Sequence, residues 1–257
     1  MRKITIPEDM DFRPAAEAEV LGKLLSVEYK PRRTPGWLSP SGVTDCPRKQ
    51  VFKLLGLPAR PLTFDENRYG EAGTDVHDRY ARLLSLAKEQ GVFQEVYTEL
   101  RLEDPCGLGI RGNIDALVLY NGHWIVLECK SISPWAKDLG YYWLKWREQT
   151  HCYLHLARAN GYWTDEAIIH VIRRGDENFV GEVRVAWDEE TWQRILHRIK
   201  QIQDCAAAKV APPVVECPAG KPPDKSFSTG KVRCEYDTIC GDWTVMRRIE
   251  EEEIGRA

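Results

Sequence analysis

The feature that most constrains this chain is the dipeptide Asn121-Gly122, set between two apolar, β-branched runs at 110–120 and 123–132. Asn-Gly is the preferred pair for a two-residue type I′ hairpin, because both central residues need positive φ. Such a turn sets Tyr120 opposite His123 and fixes the register behind it. Counting back along both strands, Asp115 falls opposite Glu128. Lys130, two residues on, shares the face of Glu128. The other face carries Ile114, Ala116, Val118, Ile125, Leu127 and Cys129, a core surface. Two opposed carboxylates repel and destabilise a bare sheet. A divalent cation removes that conflict, and hard oxygen ligands suit Mg²⁺ or Mn²⁺. Such an ion can polarise a phosphoryl oxygen and acidify a water molecule. Lys130 could orient or help deprotonate that water, or stabilise charge on the phosphorus centre. The plainer alternative is a polar strand pair on an open sheet face, with Lys130 neutralising the acids.

The surrounding pattern predicts a mixed α/β fold. An amphipathic stretch runs from Ala15 to Leu25, followed by a Pro- and Arg-rich loop, 29–40. A short helix is expected after Cys46, with Pro47 in its first position and Gly56 just past its end. Residues 74–90 read as a second helix closed by Gly91, with Val76, Tyr80, Leu83, Leu84 and Ala87 at helical spacing. A strand at 93–102 precedes the hairpin, and a helix at 139–160 follows it. Strands are expected at 167–173 and 179–186. Asp188 then caps a long helix with Trp192, Ile195, Leu196, Ile199 and Ile202 on one stripe.

At 257 residues, the length falls between one domain and two. The order of elements favours one domain: a helical part at 1–92, a core at 93–210 and a cysteine-containing segment at 211–257. Hydrophobic residues make up 43% and charged residues 29%, which excludes a disordered or collagen-like chain. No apolar run is long enough for a transmembrane helix, and the N-terminus lacks the apolar stretch of a signal peptide. A cytoplasmic location and no membrane partner are the expectation. In that reducing compartment, clustered cysteines more often mean metal than disulfide.

The net charge of −3 argues mildly against a nucleic-acid partner. The acidic run Glu250–Glu253 supplies four of those negatives, so the rest of the chain carries a small positive charge.

Gly112-Asn113-Ile114-Asp115, then Glu128-Cys129-Lys130, resembles the G-x-x-D…E-x-K core of the PD-(D/E)XK nuclease superfamily. Gly73-Thr-Asp-Val-His77 resembles the G-x-x-x-H helix motif of its RecB-like members. Gln149-Thr-His-Cys-Tyr153 resembles their Q-x-x-x-Y motif. Glu99 sits where many of them carry another acid. The resemblance runs in order from about Ser39 to Cys240. It implies a restriction-endonuclease-like core, a mixed central sheet flanked by helices. It implies a metal held by His77, Asp115, Glu128 and the backbone carbonyl of Cys129. Lys130 would act on the attacking water, and Gln149 and Tyr153 would position the scissile strand. The implied function is a metal-dependent DNA nuclease, a single-strand exonuclease in recombination, repair, replication or CRISPR-type processing. The alternative is a catalytically silent DNA-binding or adaptor module of such a complex. With no G-x-x-x-x-G-K-[ST] in the chain, any unwinding would come from a helicase or recombination partner.

Cys234-Glu-Tyr-Asp-Thr-Ile-Cys240 resembles the end of the cysteine signature in iron–sulfur RecB-like nucleases of the AddB and CRISPR-associated type. Cys46, in Asp45-Cys46-Pro47-Arg48-Lys49, resembles their early cysteine. The implied [4Fe–4S] ligands are Cys46, Cys217, Cys234 and Cys240. Cys217 replaces a cysteine that the family carries where Lys231 stands here. Structural Zn²⁺ is the rival occupant. Cys106, Cys129, Cys152 and Cys205 read as core or incidental residues.

Phosphate contacts are expected from Arg48, Lys49, Lys145 and Arg147, with Arg32, Arg33, Lys221, Lys225, Lys231 and Arg233 as further candidates. Tyr141, Tyr142, Trp143 and Trp146 could stack on unpaired bases, with about half of them given to the core.

Overall fold

A computed structural model describes residues 36–61, 64–136, 139–175, 178–212 and 236. The elements are α1 (Pro40–Val43), α2 (Pro47–Leu54), α3 (Phe64–Glu89), β1 (Glu95–Glu103), β2 (Arg111–Tyr120), β3 (His123–Ile132), α4 (Gly140–Ala159), β4 (Glu166–Arg173), β5 (Phe179–Ala186) and α5 (Glu189–Ala207). The strands form one sheet in the order β1-β2-β3-β4-β5. Only β3 and β4 are parallel, and α4 is the crossover that joins them. The fold is the mixed sheet flanked by helices expected from the sequence.

Local chemistry explains most boundaries. Pro47 opens α2, where its missing N–H costs nothing, and Gly56 follows at φ 68°. Gly91 ends α3 at φ 74°, and the Gly91 and Val92 amides bond back to the carbonyls of Lys88 and Ala87. Asp188 caps α5 by accepting the Thr191 amide, as expected. Asn121 and Gly122 both take positive φ, so the turn is of the predicted kind. The α3 helix begins at Phe64, well before the expected start at Thr74. The Ala15–Leu25 stretch lies outside the described residues.

The sheet buries both faces. The larger core joins it to α4 and α5 through Leu117, Val126, Ile169, Leu154, Leu156, Trp192, Ile195 and Ile199. The smaller core joins it to α3, where Val76, Tyr80 and Leu84 meet Ala116, Val118, Leu127 and Cys129. Burying such a side chain contributes roughly 1.5–3 kcal/mol, so the two layers fix the sheet between its helices. No helix among the described residues is long and apolar enough to cross a membrane.

Candidate active site

The hairpin register holds from Tyr120↔His123 to Ala116↔Leu127, and there the ladder between β2 and β3 stops. Asp115 does not continue as a plain partner of Glu128. Its Oδ2 instead accepts the Cys129 amide at 2.7 Å. A second departure sits on the other side of β2. Thr98 pairs with Ala116 and Leu100 with Ile114, but Glu99 and Asp115 between them form no pair. Glu99 has φ 50°, a left-handed conformation rare for a non-glycine residue.

The pleat changes phase at this level on both strands. Ala116 and Val118 pack under α3, whereas Ile114, two residues away, packs on the α4 side. On β1, Val96 lies with the α3 core, and Leu100 and Leu102 with the other. Regular alternation would keep each set on one face. Ile114 therefore departs from its expected place beside Ala116, and Asp115 is turned toward α3.

The consequence is a convergence. His77 of α3, Glu99 of β1 and Asp115 of β2 bring their ligand atoms within 4.8 Å of one another. His77 Nδ1 is 3.0 Å from Asp115 Oδ1. That hydrogen bond, more than any other influence, holds the imidazole above its ordinary pKa. Burial pushes Asp115 up, but His77, Lys130 and the Cys129 amide outweigh it and leave the carboxyl below its usual value. Glu99 is raised, first by lost hydration and then by the Asp115 charge.

Glu128 and Lys130 occupy the α4 side. Glu128 is buried, and its pKa is raised, chiefly by burial and further by Asp115, with Lys130 opposing. Lys130 Nζ donates to Glu128 Oε1 at 2.7 Å and to Gln149 Oε1 at 3.1 Å. Gln149 Nε2 donates to Tyr153 Oη at 3.1 Å. Gln149 and Tyr153 stand one helical turn apart on α4, so both meet the sheet. Both are buried; Gln149 holds Lys130, and Tyr153 in turn holds Gln149.

Gly112, at the head of the G-x-x-D run, has its own physical reason. A Cβ there would lie 2.7 Å from the Pro40 ring and 3.1 Å from Tyr153. Absence of a side chain lets α1 close over β2.

The donor set fits a hard divalent cation. Three acids crowd together, and two of them are pushed toward protonation by burial and by Asp115. Glu128 Oε2 is buried without a hydrogen-bond partner, a costly state unless something binds it. His77, Glu99 and Asp115 form the only such group of three among the described residues, and Glu128 stands beside Asp115. Of the expected ligands, the structure thus gathers His77 and Asp115, adds Glu99, and sets Glu128 on the flank. Cys129 itself is buried in the α3 core, its thiol pushed up to about 12 by desolvation.

The expected phosphate contacts fare unevenly. Arg48 is a correction. Its exposure is 3%, its Nη1 donates to the Pro212 carbonyl at 2.9 Å, and its guanidinium lies over Phe52, so it ties α2 to the chain after α5. Lys49 pairs with Asp45, and Arg147 with Asp188. Lys145 is exposed. Trp146 is buried against Tyr142, while Trp143 is exposed. Cys46 is half-buried at the start of α2. Cys217, Cys234, Cys240, Arg32, Arg33, Lys221, Lys225, Lys231 and Arg233 lie outside the described residues.

Sequence reasoning missed Asn113 and the segment Trp37–Ser41. Asn113 lies beside Glu99, and its side chain draws the Glu99 pKa down against the effect of burial. Leu38 forms a parallel bridge with Ile110. A one-residue bridge has no periodic signature, so nothing in the sequence announces it.

The family model for the PD-(D/E)XK nuclease superfamily matches residues 48–241. The chain belongs to that superfamily. Solved structures with a similar fold include SSO0001, at 19% identity over 68% of this chain and 80% of that one, TM-score 0.40. Another is LHK-Exo, an alkaline exonuclease from Laribacter hongkongensis, at 14% identity over 68% of this chain and 89% of that one, TM-score 0.44. The same enzyme in complex with dAMP aligns at 15% identity, over 68% and 89%, with TM-score 0.46. Among curated proteins no match is found.

Proposed function

We propose that this chain is a metal-dependent deoxyribonuclease that degrades single-stranded DNA from its ends, in recombination, repair or CRISPR-type DNA processing. The observation that carries the reading is the convergence of His77, Glu99 and Asp115 beside the buried, partnerless Glu128 Oε2, within a nuclease superfamily chain. His77, Glu99, Asp115 and Glu128 would hold Mg²⁺ or Mn²⁺, with the Cys129 carbonyl as a further donor. The ion would supply charge neutralisation at the phosphoryl group and a more acidic water. Lys130, fixed by Glu128 and Gln149, orients the attacking water and balances charge at phosphorus. Before an ion binds, His77 helps hold Asp115 ionised, and the Cys129 amide fixes that carboxylate's second oxygen. Gln149 and Tyr153 keep the Lys130 ammonium in place. Purified protein with Mn²⁺ and labelled single-stranded DNA tests the reading. Wild type should release product and Lys130→Ala should not; equal, negligible release from both would end it.

The cysteines enter the same proposal. Cys46, Cys217, Cys234 and Cys240 would bind a [4Fe–4S] cluster that clasps the two ends of the domain. Tyr236, in the sequence between Cys234 and Cys240, supports this, because it packs on Phe52 of the helix that Cys46 opens, with ring centroids 5.6 Å apart. Protein purified without oxygen should be brown and contain iron. Colourless protein with stoichiometric zinc would favour Zn²⁺.

A further inference from the structure

Next to the metal-ligand group lies a cleft of about 500 Å³ lined by Trp37, Ser39, Ser41, Arg101, Arg111 and Asn113, with Gly112 and Tyr153 in its wall. It touches both halves of the site. Asn113 lies beside Glu99, and Tyr153 bonds to Gln149, which holds Lys130. A ligand in the cleft is therefore separated from Glu99 by Asn113, and from Lys130 by Tyr153 and Gln149.

The lining is suited to one class of ligand. Arg111 lies over the Trp37 ring at 4.0 Å, with its guanidinium paired to Glu103. The segment that carries Trp37 is pinned, since the Leu38 amide donates to Gly109 O and the Arg111 amide to Leu38 O, both at 2.9 Å. A ring fixed in this way loses little entropy when a flat ligand stacks on it. Around the ring stand an exposed cation, Arg101, 3.9 Å from the Glu103 carboxylate that Arg111 also meets, and two exposed hydroxyls, Ser39, which accepts the Gly42 amide, and Ser41. An aromatic platform, a guanidinium and hydroxyl donors are the groups that take a base and its phosphate. The volume admits one nucleotide, and a stacked base must be unpaired.

We propose that this cleft is a nucleotide subsite for single-stranded DNA, in which Trp37, backed by Arg111, stacks on the base next to the scissile bond. Arg101 and the hydroxyls of Ser39 and Ser41 hold the adjoining phosphate. This rests on the nuclease reading for its place in a reaction, but not for the binding itself.

The test is binding without turnover. Fluorescein-labelled single-stranded oligonucleotides are titrated with the full chain in EDTA, and Kd is read by anisotropy. Trp37→Ala should weaken binding about tenfold, the scale of one base–aromatic stack. Trp37→Phe should recover most of the loss. Arg101→Ala should lower the salt dependence by about one phosphate contact.

An abasic site walked along the oligonucleotide gives an independent readout on wild-type protein. One position should cost wild type about as much as Trp37→Ala does, and that position should cost Trp37→Ala nothing. Equal affinity of wild type and Trp37→Ala, or an abasic scan with no sensitive position, overturns the subsite. Failure of the nuclease reading looks different: wild type with Mn²⁺ releases no product, while the abasic signature persists.

Discussion

The two halves of the candidate site are built by different means. On the α4 side, Glu128 and Lys130 follow strand alternation, and Gln149 and Tyr153 follow helical spacing. Each polar group there is met by the next, from Glu128 Oε1 through Lys130 and Gln149 to Tyr153. On the α3 side, His77, Glu99 and Asp115 meet only because the pleat of β1 and β2 changes phase where Glu99 adopts positive φ. Regular periodicity places Glu128, the lysine and its tethers, and a break in periodicity gathers His77, Glu99 and Asp115. The half that holds Lys130 keeps regular backbone geometry. The half that would hold the ion needs strain to exist, in keeping with the clustering of strained backbone at functional sites.

The largest effect is expected in the regular half. Lys130→Ala should lower Mn²⁺-dependent DNA cleavage by at least about 10²-fold, the scale of one removed electrostatic stabiliser. Mn²⁺ affinity, measured by calorimetry, should change far less. In the irregular half the pattern should invert. Asp115→Asn should weaken Mn²⁺ binding by about tenfold or more, a loss of roughly 1.4 kcal/mol or above, and activity should follow metal occupancy. Equal losses of metal affinity in both variants would show that the halves do not divide the work in this way.

Gly112→Ala tests the wall between the halves. Its methyl would meet the Pro40 ring at 2.7 Å, and both α1 and β2 are held by backbone bonds. Overpacking of this kind costs about 1–3 kcal/mol, readable as a lower urea midpoint. A variant as stable as wild type would mean that α1 moves aside freely.

Asp104, just past β1, serves as a reference outside both halves. Its carboxylate accepts the Cys106 and Leu108 amides and lies 2.7 Å from His155 Nε2. Against the opposing pull of burial, these partners hold it below its ordinary value. The stability it contributes is present above the ordinary carboxylate pKa and is lost as pH falls through the lower, folded value. Asp104→Asn should cost about 1–2 kcal/mol at neutral pH and progressively less in acid. A pH-independent difference in unfolding free energy would contradict this.

The same division explains what could be read from the sequence. Asn121-Gly122 fixes the β2–β3 register, and the predicted turn and strand ends hold to the residue at His123 and Ile132. Period 2 places Lys130 beside Glu128, and a four-residue step places Gln149 with Tyr153. The direction of Asp115 was not legible, because alternation sends it to the α4 face with Glu128. Its turn toward His77 follows from a distortion shared by two strands, to which neither strand's pattern points. Ile114 is misplaced for the same reason. Arg48 misled because a basic residue beside a cysteine motif looks like surface, yet its guanidinium reaches a carbonyl 164 positions away. The Trp37 cleft depends on a single bridge, Leu38↔Ile110, between segments far apart in sequence.

The smallest expected effect bears most directly on the strained half. A non-glycine residue held in the left-handed region costs of order 1 kcal/mol or more. Glycine bears no such penalty, although it loses roughly 0.5–1 kcal/mol in chain entropy within a strand. Glu99→Gly should therefore leave metal-free stability unchanged or raise it by up to about 1 kcal/mol. Removing a carboxylate from a crowded group adds to that, since Glu99 is already pushed toward protonation by lost hydration and by Asp115. Mn²⁺ affinity should fall at the same time. Glu99→Gln separates the causes: it loses the charge but keeps the strained backbone, so it should match glycine in metal affinity and fall below it in urea stability. If glycine is clearly the less stable of the two, the positive φ at Glu99 is not where the strain resides. The phase change in β1 and β2 would then be imposed by the packing of Ile114 and Leu100 on the α4 side.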